Sequence, residues 1–173
     1  MALRQIREQG DPCLSKECKP VKKMTERTLE LIDDMFETMY ENDGCGIAAP
    51  QVGILKQICV VDVGDGEQYL FINPEITLSE GAATDNEGCL SVPGYTGAVE
   101  RATHIIVKAY DENLEPFELE ASDFLARAIQ HEIDHLHGVL YTDKVIGDLY
   151  KVKPQDEEAE NEPAVLEKGG SEQ

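Results

Sequence analysis

Basic residues are scarce in this chain, which has 15 lysines and arginines against 35 aspartates and glutamates and a formal net charge of −20. Such an acidic protein is poorly suited to bind nucleic acid or an anionic membrane surface, because both attract positive charge. The chain also lacks an apolar run long enough to span a bilayer and a basic-then-apolar start of the signal-peptide type. We therefore expect a cytoplasmic protein without DNA or membrane partners.

Paired cysteines are also lacking, since the five that are present form an odd number without paired spacing. This pattern predicts reduced thiols and not a disulfide framework. The length of 173 residues, with 41% hydrophobic residues, suits one domain with its own core. From Pro154 the composition becomes acidic and rich in proline and glycine. We expect one folded domain at 1–150 and an acidic, disordered tail at 151–173.

Two amphipathic stretches and several short β-rich runs predict the fold class. Thr25 is a suitable cap for a first helix that ends near 42–44. Its apolar residues recur at helical spacing and are expected to form a buried stripe: Leu29, Ile32, Phe36, Met39 and Tyr40. Strands are predicted at 57–63, 69–72, 76–79, 105–110 and 117–120, with a possible start at Val99 and a loop at 81–86.

A second helix is predicted between Ser122 as N-cap and Gly138 as the residue after its end. The fold class is thus α+β, with short, mostly antiparallel β-sheets packed around a C-terminal helix and with one N-terminal helix. The C-terminal helix contains the pattern H-E-x-x-H at 131–135.

The H-E-x-x-H pattern predicts a metal site. His131 and His135 are four residues apart and lie on one face of a helix, so both imidazoles can reach one cation. Glu132 lies beside them and can take the proton of a metal-bound water without being a ligand. The alternative is a surface helix with two histidines that are hydrogen-bonded and bind no metal.

The pattern requires a third ligand, which its downstream sequence does not supply clearly. In the H-E-x-x-H-x-x-G-x-x-H pattern of zinc proteases, the third histidine would fall on Tyr141. Glu157 and Glu158 lie at a suitable distance, but in the tail. Cys89, between glycine and a short apolar run, is the best soft donor, and a Cys–His–His set leaves a fourth position open. His104 is expected on a surface strand.

A glycine-rich stretch, GCGIAAPQVG at 44–53, permits close approach of another backbone. It is either a strand and loop packed tightly in the core or a strand edge that a peptide can approach, with the Gln51 amide near a reacting group.

Three motifs in this order, GCGIAAPQVG, EGCLS at 87–91 and QHEIDH at 130–135, resemble the peptide deformylase family. The resemblance covers about residues 3–147. It implies hydrolysis of the formyl group from the N-terminal formylmethionine of newly synthesised proteins, with release of formate. It implies one ferrous ion, replaceable by zinc, nickel or cobalt, on Cys89, His131 and His135. Nascent formylated peptides, and the ribosome near its exit tunnel, are the implied partners.

The resemblance also implies the other site residues. Glu132 is then the general acid and base, and the Gln51 amide and the Leu90 backbone N–H stabilise the oxyanion. The peptide is expected to lie along one segment of the first motif, namely Gly44, Cys45, Gly46 and Ile47. Phe124, Leu125 and Ala128 are candidate walls of a methionine pocket, with core packing as an equal alternative.

Two features depart from the family pattern, and one pair of charged residues adds to it. Arg127 stands where we expect an apolar pocket residue. We expect its long side chain to reach the pocket mouth, with recognition of a charged group beyond the methionine as the alternative. Some relatives end in a basic helix that docks on the ribosome, whereas this chain ends in an acidic tail. Glu87 and Arg101 are expected to form an ion pair that supports the Cys89 loop, with an unpaired surface arginine as the alternative.

Overall fold

The computed structural model describes residues 2–152 and 164–165 of the chain. These residues form two α-helices and nine β-strands, which confirms the α+β class. The helices are α1 (Glu26–Glu41) and α2 (Asp123–Leu136). The strands are β1 (Gly46–Ala48), β2 (Ile58–Val61), β3 (Tyr69–Glu80), β4 (Ala83–Cys89), β5 (Val92–Arg101), β6 (His104–Tyr110), β7 (Pro116–Ser122), β8 (Ile146–Lys151) and β9 (Ala164–Val165).

An antiparallel five-stranded sheet in the order β1-β2-β3-β6-β7 is the centre of the fold. Both of its faces are covered, because side chains of β2 alternate between two hydrophobic clusters. Cys59 and Val61 pack in the cluster that contains α2, whereas Ile58 and Val60 pack in the cluster that contains α1. This explains why β2 is a continuous apolar run. Strand β1 forms one edge of this sheet and lies next to α2.

Helix α1 begins as predicted, since the Thr25 side chain accepts a hydrogen bond from the Thr28 N–H at 3.1 Å. The predicted buried stripe is partly wrong, because Leu29 and Tyr40 are 40% and 44% exposed. The buried face is centred on neighbouring positions: Leu31, Ile32, Met35 and Met39. The N-terminal segment determines this rotation, because it covers Asp34, which accepts hydrogen bonds from Ala2 and Arg4.

A smaller sheet, in the order β4-β5-β8-β9, carries Cys89 at the tip of the β4–β5 hairpin. Here the sequence-based prediction was wrong, since 81–86 is mostly strand, β5 begins at Val92 and β8 was not predicted. Five of the seven residues of β4 are exposed, so the strand lacks the apolar alternation that identifies a half-buried strand. Its backbone pairing with β5 forms the strand instead.

Helix α2 begins after Ser122 and ends before Gly138, as the sequence predicted. Strand β8 extends through Lys151, the first residue of the predicted tail, and the division at 150 stays a prediction. The predicted disordered tail lies outside the described residues, except that Val152 and β9 are described and β9 pairs with β8. No helix in the described part of the chain is long and apolar enough to cross a membrane.

Candidate metal centre

A pocket of about 820 Å³ lies between the edge of β1, the β4–β5 hairpin and α2. Three stretches that are far apart in sequence meet there. These are the glycine-rich segment at 44–46, the hairpin tip at 86–90 and the helix at 124–132. The fold therefore brings all three sequence motifs to one place.

Cys89, His131 and His135 lie together at the base of this region. One ligand atom from each, the cysteine sulfur and one nitrogen of each imidazole, lies within 4.8 Å of the other two. The Cys89 Sγ is 3.4 Å from the His135 Nε2. Ligand atoms of a tetrahedral zinc-type site, with bonds of about 2.0–2.3 Å, are about 3.5 Å apart, so the donor set fits one divalent cation.

The protonation of the two imidazoles is set by their surroundings. The His131 Nδ1 contacts the Glu87 carboxylate at 2.9 Å, which leaves its Nε2 for a metal. His135 is 1% exposed, and burial holds its pKa well below the ordinary value. A neutral imidazole is the form that binds a metal. The His135 Nδ1 has no hydrogen-bond partner among the residues that the structure describes.

Of the other candidate ligand positions, Tyr141 and His104 do not join the site. The Tyr141 hydroxyl donates to the Tyr95 carbonyl at 3.1 Å, and its ring stacks on His131 with 5.9 Å between centroids. Glu157 and Glu158 lie outside the described residues. His104 lies on β6, where it contacts Glu80 and Glu120 and not the pocket.

Buried charges form the wall behind His131. Arg101 holds Glu87 by two hydrogen bonds, from Nε at 2.8 Å and from Nη2 at 2.9 Å, and its Nη1 reaches Asp134 at 2.7 Å. This confirms the expected Glu87–Arg101 pair. Burial opposes ionisation of Glu87, but the hydrogen bonds from Arg101 and His131 hold its pKa below the ordinary value.

Arg127 belongs to the same network, and the expectation that it reaches the pocket mouth was wrong. It is 8% exposed, and its guanidinium donates to Glu87 at 2.7 Å and to the carbonyls of Val99 and Ala83 at 2.9 Å each. The Glu87 Oε2 lies within hydrogen-bond distance of Arg127, so the guanidinium points into the protein and not toward the pocket mouth. Arg127 still contributes to the pocket lining.

Glu132 lines the pocket and is only 4% exposed. Burial raises the pKa of its carboxyl group to about 7. Its Oε1 has no hydrogen-bond partner among the residues that the structure describes. The absence of a side chain at Gly46 makes room for it, since a Cβ there would lie 2.5 Å from the Glu132 Oε2.

Gln51 is held rigidly at the opposite side of the cysteine. Its Oε1 accepts a hydrogen bond from the Ala48 N–H at 2.9 Å, and its Nε2 donates to the Ser91 hydroxyl at 3.0 Å. The same Nε2 is 3.6 Å from the Cys89 Sγ. Ser91 was missed by the sequence reasoning, although its position two residues after Cys89 in EGCLS was a signal.

The predicted peptide-contacting residues divide into two groups. Five line the pocket: Gly44, Cys45, Gly46, Phe124 and Ala128. Ile47 and Leu125 do not, because Ile47 is fully buried against the α1 cluster and Leu125 packs against the α2 cluster. Leu90, the second predicted oxyanion donor, also lines the pocket. The glycine-rich stretch is therefore both a pocket edge and a core segment.

Comparison with known proteins agrees with this geometry. The family model of polypeptide deformylase matches residues 3–149. A peptide deformylase from Agathobacter rectalis is 52% identical over 156 residues, covering 90% of this chain and 98% of the relative. Peptide deformylase 1 from Clostridium acetobutylicum is 56% identical over 145 residues, covering 84% and 96%.

Solved structures give the same result. The crystal structure of peptide deformylase from Thermotoga maritima has a TM-score of 0.82 and 44% identity, covering 84% of this chain and 99% of that one. The deformylase from Ehrlichia chaffeensis in complex with actinonin has a TM-score of 0.82 and 38% identity, covering 84% and 90%. The chain therefore belongs to the polypeptide deformylase family, the metal-dependent hydrolases that remove the formyl group from the N-terminal methionine of nascent proteins.

Proposed function

We propose that this protein hydrolyses the formyl group from the N-terminal formylmethionine of newly synthesised proteins and releases formate. The observation that carries the proposal is the grouping of Cys89, His131 and His135 within 4.8 Å, beside a buried glutamate in a pocket bordered by an edge strand. One reaction uses all three features: a cation, a proton carrier and a groove for an extended peptide.

The proposed metal is one ferrous ion per chain, for which zinc, nickel or cobalt can substitute. The set combines one soft thiolate with two imidazoles, and imidazole is a common ligand of iron, zinc and nickel alike. A bound divalent cation there supplies Lewis-acid activation of a water molecule near neutral pH. Cys89, His131 and His135 would be its protein ligands, one fewer than the usual four, so the cation would remain open to solvent.

Glu132 is the proposed general base and acid. Its buried carboxylate has a pKa near 7, so it exchanges protons readily at neutral pH. It takes a proton from the attacking water and delivers it to the departing amine nitrogen, because an amide nitrogen leaves poorly without a proton. Its Oε1, without another partner in the described structure, is free for this exchange.

Gln51 and Leu90 are the proposed oxyanion donors. The Gln51 amide is held by Ala48 and Ser91 in one orientation, with its nitrogen toward Cys89. The Leu90 backbone N–H follows the cysteine directly at the hairpin tip. Charge develops on the formyl oxygen in the transition state, and each preorganised donor there is typically worth about 3 kcal/mol.

The peptide is proposed to bind as an added strand along the edge of β1 and the segment before it, at Gly44, Cys45, Gly46 and Ile47. Main-chain hydrogen bonds to an edge strand are independent of the peptide sequence, so many nascent chains can be accepted. Phe124, Ala128 and the pocket-lining part of Arg127 are the proposed walls for the methionine side chain. The Ile47 side chain packs in the core, so only its backbone is proposed to contact the peptide, and Leu125 packs against the α2 cluster.

A cytoplasmic enzyme that acts on chains as they leave the ribosome exit tunnel completes the proposal. The net charge of −20 argues against a broadly basic docking surface of the kind that binds ribosomal RNA. Contact with the ribosome is therefore proposed to be through the nascent chain.

A formate assay tests the proposal. Anaerobically iron-loaded protein is mixed with formyl-Met-Ala-Ser, and Glu132→Gln with the same metal content is the matched control. We expect release of formate by the parent and a rate about 10²–10⁴-fold lower in the variant. Equal rates in the parent and the variant would refute the proposal and indicate a protein that is not an enzyme. Cleavage of internal bonds of an unformylated peptide without formate release would instead indicate an endopeptidase.

A further inference from the structure

The metal ligands come from two parts of the molecule with separate hydrophobic cores. Helix α2, with both histidines, packs against the five-stranded sheet through residues such as Ala126, Ile129 and Ile133. Cys89 packs in another cluster, whose buried members are Val92, Val99, Tyr141 and Leu149. Apolar packing joins the two parts where the Tyr141 ring stacks on His131. This one contact leaves the distance between the cysteine and the histidines dependent on the polar contacts as well.

The guanidinium of Arg127 connects the two parts. Arg127 lies on α2, one turn before His131, and all three of its acceptors lie on the β4–β5 hairpin. It donates to the Ala83 carbonyl on β4, to the Val99 carbonyl on β5, and to the Glu87 carboxylate on β4. The same carboxylate accepts from the His131 ring through its other oxygen.

Arg101 provides a second connection at the other end of the histidine pair. It lies on β5 and reaches Asp134, which is next to His135 on α2. The negative charge of Glu87 is already matched by its two bonds from Arg101. The specific contribution of Arg127 is therefore geometric, because it alone of the two arginines holds the backbone of both hairpin strands against the helix.

We propose that Arg127 is a positioning residue that sets the separation of Cys89 from His131 and His135, and so the affinity of the metal site. The proposal rests on the proposed metal site but not on the identity of the substrate. A guanidinium presents several donors in a rigid plane, which matches three acceptors in three directions. A lysine ammonium at this position keeps the charge but not this planar arrangement.

The test measures metal affinity by competition with a chelating dye, with Zn²⁺ as the probe. Arg127→Met keeps most of the apolar volume and removes the donors, and Arg127→Lys keeps the charge. We expect Zn²⁺ affinity to fall about 10- to 100-fold in both variants, the range typical when a group that orients a ligand is lost. Cobalt spectra of both variants should show an altered thiolate charge-transfer band.

Arg4→Met is the matched control. Arg4 also forms an ion pair with a buried carboxylate, that of Asp34 on α1, but it does not line the pocket. Its loss should leave Zn²⁺ affinity within twofold of the parent. Circular dichroism of the metal-free proteins identifies a variant that fails to fold. If Arg127→Met does not fold, the Zn²⁺ affinity of Arg127→Lys tests the proposal.

Three results would overturn the proposal. They are parental affinity in Arg127→Met, an equal loss in Arg4→Met, and full recovery in Arg127→Lys, which would mean that charge alone matters. A change of KM for formyl-Met-Ala-Ser at saturating metal, with unchanged affinity, would assign Arg127 to the peptide pocket instead. The metal measurements keep their meaning even if the protein releases no formate, so this proposal and the proposed function can fail independently.

Discussion

Two histidine–glutamate contacts in this molecule have the same chemistry and very different surroundings. Behind the metal centre, the side chains of His131 and Glu87 are 7% and 5% exposed. At the far edge of the five-stranded sheet, His104 contacts Glu80 and Glu120, with side chains 28%, 62% and 66% exposed. The first contact orients a metal ligand, whereas the second lies on the surface.

The difference shows how burial increases the contribution of a polar contact to stability and to the orientation of a side chain. In the interior a carboxylate needs a partner for each lone pair, and both oxygens of Glu87 receive two hydrogen-bond contacts from Arg101, Arg127 and His131. At the surface, water competes for the same groups, and exposed pairs contribute little. We therefore expect buried substitutions to change metal binding and folding together, and surface substitutions to change neither strongly.

The largest expected effect follows removal of the central buried carboxylate. Glu87→Ala leaves the guanidinium groups of Arg101 and Arg127 without their shared acceptor in a water-poor wall. Breaking a buried ion pair in this way typically costs about 3–5 kcal/mol. Urea unfolding of the metal-free protein should show this loss, and metal analysis should show a site that no longer retains zinc.

The matched control for this variant is Glu120→Ala, which removes the corresponding carboxylate from the exposed contact. Its free energy of unfolding should stay within about 0.5 kcal/mol of the parent, as for most surface substitutions. Similar losses in the two variants would mean that burial does not distinguish the two contacts.

A steric change beside the metal centre should affect turnover more than stability. In Gly46→Ala the new Cβ would lie 2.5 Å from the Glu132 Oε2, so the carboxylate must shift. A misplacement of about 1 Å can cost about 100-fold in rate. We expect a fall of this order in the rate of formate release at saturating peptide, with unchanged metal content.

Gly64→Ala is the opposite case on the surface. Gly64 has φ +83° and open space around it, so alanine strains the turn but touches nothing. The variant should unfold at lower urea concentration and keep the parental rate of formate release. Parental turnover in Gly46→Ala would contradict the proposed role of Glu132.

The sequence predicted the site better than the sheets around it. The ligands could be predicted because helical spacing places His131 and His135 together, and because three motifs match one family in order. Strand β4 could not, since its pairing is made by the backbone and its exposed side chains show no apolar period. Its partners on β5, from Val92 opposite Cys89 to Arg101 opposite Ala83, are joined to it by backbone hydrogen bonds that leave no apolar pattern in the sequence.

Arg127 shows a second limit of sequence reasoning. Its position on the helix predicted correctly that it lies on the pocket side, but not that its charge points inward. That direction depends on Glu87, which is 40 residues away in sequence and has an oxygen in reach. The exposed Leu29 on α1 has a similar cause, because the N-terminal segment covers the face around Asp34.

The smallest expected effect concerns the exposed contact itself and depends on pH. Hydrogen bonds that the ring donates to the flanking carboxylates of Glu120 and Glu80 raise the pKa of His104 above its ordinary value of 6.5. A raised pKa in the folded state means stabilisation that is complete below pH 6.5 and is lost as pH rises through the folded pKa. His104→Asn should therefore lower the urea midpoint slightly at about pH 5.5 and leave it unchanged at about pH 9. An equal change of the urea midpoint at both pH values would show that the ring acts by packing and not by charge. A large change at about pH 5.5 would contradict the expectation that exposed ion pairs contribute little to stability.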